Sequence, residues 1–176
     1  TALTGSAGVN TIAVNAGASL SANGDLGDGS DTLALAGALN TGSAALSLGA
    51  GSDTLTLNDG ASIGGIGVDA GSGANDQLVL DNASSLSFDG ATTAGFESLL
   101  KQNSGIANMT GTQSFSAGTS IAGGVLDIDG SLTTPTIAMA DDTALSVDGS
   151  VQAGVGTAAA ITGSAGKTTT KEITAT

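Results

Sequence analysis

Four copies of one phrase occupy the first half of this chain: a Gly-rich step, an Asn or Asp, and a short strand of alternating apolar residues. They are Gly8-Val9-Asn10-Thr11-Ile12-Ala13-Val14, Gly29-Ser30-Asp31-Thr32-Leu33-Ala34-Leu35, Gly51-Ser52-Asp53-Thr54-Leu55-Thr56-Leu57 and Ala74-Asn75-Asp76-Gln77-Leu78-Val79-Leu80. Counted from Asn10, Asp31, Asp53 and Asp76, the steps are 21, 22 and 23 residues. A period of that length, built of strands and turns without a helical stretch between them, is the mark of a solenoid whose coils stack. The reading is an all-β, right-handed parallel β-solenoid (β-helix) of about eight rungs of 20–23 residues.

Each rung holds more than one strand. Val14 is followed by Asn15-Ala16-Gly17-Ala18-Ser19-Leu20, and Leu57 by Asn58-Asp59-Gly60-Ala61-Ser62-Ile63, while Leu46/Leu48 and Ile66/Val68 precede the next Gly-rich step. Alternation turns one face of each strand inward. Gly recurs at the bends, where positive φ is needed. The only Pro is Pro135, so little interrupts a ladder. Ala94–Leu100 is the best helical stretch, and its shortness favours a turn or strand. With Phe88, Phe96 and Phe115 as the only aromatics, a thick globular core is out of reach. Leu, Ile, Val and Ala can fill a core one or two side chains across.

The net charge is −13, with Lys101, Lys167 and Lys171 as the only cations. Binding phosphate takes clustered Lys and Arg, so nucleic acid and anionic membrane are poor partners. No apolar run reaches the length of a membrane span. The absence of Cys removes disulfides and thiolate sites. Because the chain starts at Thr1 without Met or signal peptide, it is expected to be a processed product or an excerpt.

From Phe96 onward a second pattern takes over: Phe96-Glu97-Ser98-Leu99-Leu100-Lys101, then Gly105-Ile106-Ala107-Asn108-Met109-Thr110-Gly111, then Gly118-Thr119-Ser120-Ile121-Ala122-Gly123-Gly124-Val125-Leu126-Asp127-Ile128-Asp129-Gly130-Ser131-Leu132. This resembles the C-terminal β-helix rungs of bacterial autotransporter passengers. In that family Phe-Glu-x-Leu-x-Lys precedes Gly-x-Trp-x-Leu-x-Gly and a Gly-Thr-x-Ile-x-x-Gly-x-Leu-x-Val-x-Gly stretch. Ala107 stands where the family has Trp, and the family's membrane barrel has no counterpart in this sequence. The resemblance covers about residues 90–150 and implies an exported rod, displayed at the bacterial cell surface or extracellular, with an autochaperone-like folding region. Three segments follow: 1–90 as regular rungs, 91–151 as the autotransporter-like rungs, and 152–176 as an Ala/Gly/Thr-rich terminal rung or tail.

In that tail, Ala160-Ile161-Thr162-Gly163-Ser164-Ala165-Gly166 nearly repeats Ala2-Leu3-Thr4-Gly5-Ser6-Ala7-Gly8. An open solenoid end is an exposed sheet edge that must be capped or paired, so head-to-tail self-association is expected. A host or cell-surface receptor or glycan is the other partner class.

Chemistry is sparse. His and Cys are absent, which removes the commonest general base and the thiol nucleophile. The pairs Asp127/Asp129 and Asp141/Asp142 keep a polysaccharide-active β-helix enzyme as the least favoured reading, with Asp127 and Asp129 facing outward. No catalytic residue is assigned. The Gly27–Leu33 step resembles the Gly-Gly-x-Gly-x-Asp-x-Leu repeat of calcium-binding toxin-type β-rolls. It makes Asp28, Asp31, Asp53 and Asp76 the candidate metal ligands, Ca²⁺ the candidate cofactor, and a calcium-linked surface matrix protein the alternative. Stacked in register, Asp31, Asp53 and Asp76 would lie about 5 Å apart. The competing expectation is that these side chains cap turns by accepting backbone N–H groups two residues on. The leading expectation is a noncatalytic structural or adhesive rod, a stalk or fibre subunit.

Overall fold

The computed structural model describes residues 1–154 and, as backbone, the strands Ala160–Gly163, Lys167–Thr170 and Ile173–Ala175. The remainder of the terminal segment, with Ser164–Gly166 of the near-repeat, lies outside the described residues.

The chain is a β-solenoid of about seven turns. Among the described residues all strand pairs are parallel, and each coil contributes three short strands to three sides. One side runs through the whole stack as an eight-stranded sheet whose strands start at Thr11, Thr32, Thr54, Gln77, Ser98, Gly118, Thr136 and Ala160. The other two sides change over midway. Five- and three-stranded sheets serve the first coils, and another five-stranded sheet and a four-stranded one serve the later coils. The changeover falls where Leu86–Asp89 starts a new sheet and a 3₁₀ turn, Gly90–Thr92, precedes the last strand of an old one, Thr93–Ala94. Asp89 caps that turn by accepting the Ala91 N–H at 3.0 Å.

The repeated phrase dictates the register. Thr32 pairs with Thr54 and Thr54 with Gln77, which puts Leu33, Leu55, Leu78 and Leu99 in one vertical column, all fully buried. Two residues further on, Leu35, Leu57 and Leu80 make a second column. Each Leu so buried contributes about 1.5–3 kcal/mol. The residues between them, such as Thr54 and Thr56, face outward and are half-buried by their neighbours. In the later coils Ala107 is sealed between Leu86 and Leu126, and Met109 between Phe88 and Ile128. All three Phe side chains are buried.

Two expectations change in detail. Along the phrase column the first-half steps stay at 21–23 residues, but other sides range from 19 (Ser19 to Ala38) to 25 (Val68 to Thr93), and the later coils tighten: Ala107, Leu126 and Leu145 stack at 19-residue steps. The near-repeat also lands on different sides of the coil. Ala2–Thr4 starts a side sheet, whereas Ala160–Gly163 ends the eight-stranded one. Similar sequence does not give the two segments the same position, because three residues of alternating character fit any side.

Candidate functional site

The position before each of the first five strands of the eight-stranded sheet is occupied in turn by Asn10, Asp31, Asp53, Asp76 and Glu97. Side chains alternate along a strand, so Asp31 shares a face with Leu33 and Leu35, and Asp53 with Leu55 and Leu57. That face is the interior. Asp31, Asp53 and Asp76 are 1%, 1% and 0% exposed.

Their bonding runs from coil to coil. The Asn10 N–H donates to Asp31 Oδ1, the Asp31 N–H to Asp53 Oδ1, and the Asp53 N–H to Asp76 Oδ1, each at 2.6 Å; the Asp76 N–H donates to Glu97 Oε2 at 2.7 Å. At the bottom the Asn10 amide closes the row, with Nδ2 donating to Asp31 Oδ1 and to the carbonyls of Ser6, Gly8 and Leu26. This replaces the expectation that the three Asp cap turns two residues on. That local bond belongs to other residues: Asp25 accepts from Gly27 and Asp69 from Gly71. The Asp at the phrase position reaches the neighbouring coil because it points inward, along the stacking axis.

The second oxygens, Asp31 Oδ2, Asp53 Oδ2 and Asp76 Oδ2, are buried and have no hydrogen-bond partner. Burial pushes the Asp53 and Asp76 carboxyls above the ordinary carboxylate range. The backbone N–H each accepts pulls the other way, and the neighbouring carboxylates add to the rise. Two ionised carboxylates about 5 Å apart would repel by roughly 3 kcal/mol at an effective dielectric of about 20.

Asp28 does not join this column. It is exposed and pairs its backbone with Ala50 on the adjoining side. There Asp25, Asp28 and Asp69 line a shallow groove of about 430 Å³ floored by Gly27, Gly49 and Gly71. A third acidic group lies in the later coils. Asp127, Asp129 and Asp148 each bring an oxygen within 4.8 Å of the others, and Asn108 Nδ2 bridges Asp127 Oδ2 at 3.2 Å and Asp129 Oδ2 at 2.8 Å. Asp129 and Asp148 are exposed and Asp127 half-buried, in keeping with the outward direction read from the strand.

Sequence reasoning also missed Lys101 as a buried group. Lys101 is 0% exposed, seated in the apolar column between Leu80 and Ile121. Its Nζ donates to the carbonyls of Gln102 at 2.7 Å, Asn103 at 2.8 Å and Gly123 at 3.3 Å. Burial lowers its pKa, and the Asp81 and Asp59 carboxylates partly restore it. The signal was the spacing Leu99-Leu100-Lys101, which puts Lys101 on the inward face with Leu99.

Fold and side-chain arrangement together define a β-solenoid with an acidic exterior and a carboxylate column inside. No protein-family model, curated protein or solved structure matches the chain.

Proposed function

We propose that the chain is a noncatalytic extracellular β-solenoid, a surface-displayed stalk, adhesive rod or fibre subunit in the manner of a bacterial autotransporter passenger, stacking head to tail. The observation that carries this reading is the unbroken register of the eight-stranded sheet. Shape is what such a register supplies, and about seven turns at ~4.8 Å give a rod roughly 34 Å long. The carboxylates of Asp25, Asp31, Asp53, Asp69, Asp76 and Asp89 are engaged with backbone N–H groups, a structural use. The autotransporter comparison draws support from Phe96, Leu99, Lys101, Ile121, Leu126, Ile128 and Leu132, all residues of the quoted motifs and all inward.

Stacking draws support from the first coil. Its inward residues Leu3, Ile12 and Leu20 are only partly buried, and its strands Ala2–Thr4, Thr11–Val14 and Ser19–Ser21 are the end members of their sheets. Such edges pair readily with another strand. Sedimentation and negative-stain microscopy of the purified chain over a concentration series test the reading. Rods that lengthen in whole multiples support it; particles of one length at every concentration remove the fibre-subunit part.

A further inference from the structure

Three carboxyl groups sealed in a coil, each with one oxygen lacking a partner, are not needed by a rod as such. Asp31, Asp53 and Asp76 commit Oδ1 to a backbone N–H of the coil below and leave Oδ2 buried and unbonded. An ionised carboxylate only accepts hydrogen bonds, so in the charged state every one of these oxygens is a desolvated partial charge.

Among the described residues the surroundings supply no counter-charge. Asp31 faces the Asn10 amide and Asp53; Asp53 faces Asp31 and Asp76; Asp76 faces Asp53 and Glu97. From the adjoining side the approach to Asp76 Oδ2 is glycine backbone at Gly73, and the carboxyls carried there, Asp25, Asp28 and Asp69, add negative charge. Lys101 sends its ammonium to the carbonyls of Gln102, Asn103 and Gly123, at the far end of its strand from Glu97. Calcium needs 6–8 oxygens, whereas each gap between coils offers two carboxyls. A proton neutralises the charge and needs no coordination shell.

We propose that Asp53 and Asp76, in the sealed column, hold protons in the folded coil and make the solenoid pH-responsive, tightest in acid and loosened as they are forced to ionise. The inference stands on the fold and is independent of the rod's proposed role. The upward displacement of Asp53 and Asp76, caused first by burial, agrees with it. A folded state that binds more protons than the unfolded chain gains stability as pH falls. The contribution is complete below the unfolded aspartate value of about 3.9 and disappears as pH rises through the folded values.

The test is thermal unfolding of the full chain from about pH 5 to about pH 8, in enough salt to screen the exposed charges. The expected result is a Tm that falls as pH rises, a flatter profile with a higher Tm at the alkaline end for Asp53→Asn, and an unchanged profile shape for Asp28→Asn. Asp28→Asn removes one exposed charge and leaves the column alone. A wild-type Tm that is level or rises over this range overturns the proposal, as does equal flattening by both variants. A Tm rise on adding calcium chloride at the alkaline end, abolished by Asp53→Asn, overturns it in favour of a cation. Should Asp53→Asn not fold, carbon-13 NMR of the wild-type aspartate carboxyls decides. Two or more carboxyls titrating above the exposed ones support the column; a single common titration overturns it.

Discussion

Asp53 Oδ1 accepts the backbone N–H of Asp31 at 2.6 Å, while the Asp31 carbonyl accepts the backbone N–H of Thr54 at 2.9 Å. Asp31 is thus tied to the neighbouring coil twice, by main chain to Thr54 and by the Asp53 side chain reaching into the ladder. The reason lies in the corner. As the chain leaves the Gly-rich step, the N–H of Asp31 has no main-chain carbonyl of the next coil in line with it, and a buried N–H must find an acceptor. A carboxyl of the neighbouring coil supplies one, and the repeat reproduces the arrangement at Asp53 and Asp76.

Removing the acceptor should therefore cost more than removing the charge. Asp53→Ala leaves the Asp31 N–H buried and unpaired, an expected loss of about 1–3 kcal/mol. Asp53→Asn keeps an oxygen at the position and should retain most of that. Urea unfolding of the two variants, which carry the same charge, reads the two effects apart. Equal losses would mean that the 2.6 Å bond contributes little.

The Leu33–Leu55–Leu78 column predicts a second asymmetry. Leu55→Ala should lose about 2–5 kcal/mol, because the coils above and below fix the cavity walls. Thr56→Ala, one residue on and facing outward, should change stability by no more than about 0.5 kcal/mol. Denaturant midpoints for the two variants check the pair. A small loss at Leu55 would show that neighbouring coils can slide to fill the gap.

The same alternation explains how far the sequence could be read. Aligning the phrase copies at Asn10, Asp31, Asp53 and Asp76 was enough to place Leu over Leu, because a strand one residue out of step would expose a whole apolar face. Asp127, between the inward Leu126 and Ile128, was correctly turned outward by that rule. Applied to Asp31 and Lys101, the rule also puts them inside, at even spacing from Leu33 and Leu99. Residue type points the other way, because Asp and Lys are almost never fully buried unless paired. What no local pattern carried is the partner. The Oδ1 bonds of the column cross between coils 21 to 23 residues apart, and the three carbonyls around Lys101 Nζ meet only once the corner at Gly123 is folded over it.

Lys101 divides into a stem and a head that can be removed separately. Lys101→Met keeps an unbranched stem between Leu80 and Ile121 but takes the donor from three corner carbonyls, of which those of Gln102 and Asn103 lie at 2.7 and 2.8 Å. A loss of about 1–2 kcal/mol is expected. Lys101→Ala adds a cavity and should lose roughly 3–5 kcal/mol. Burial lowers the Lys101 pKa, so its folded form binds fewer protons than the unfolded chain in the alkaline range, and stability contributed by Lys101 rises with pH there. Lys101→Met should erase that rise. Equilibrium unfolding at neutral and alkaline pH tests both the ranking and the slope.

Two glycines with positive φ separate backbone strain from close packing. Gly17 (φ +76°) has open space where a Cβ would stand, so Gly17→Ala meets only the cost of a left-handed non-glycine residue, about 1–2 kcal/mol. Gly49 (φ +113°) lies on the floor of the acidic groove, and a Cβ there would collide with the Gly27 carbonyl oxygen of the coil below. That obstacle is main chain inside a hydrogen-bonded stack and cannot rotate away. Gly49→Ala must therefore push two coils apart, breaking the pairing of Gly49 with Gly71 as well. The expected outcome is a loss well above that of Gly17→Ala, with amide exchange accelerated in Leu46–Gly51 and Val68–Gly73 and little changed in Ala144–Val147. Equal losses for the two variants would mean that the glycine floor is set by turn geometry and not by the closeness of the coils.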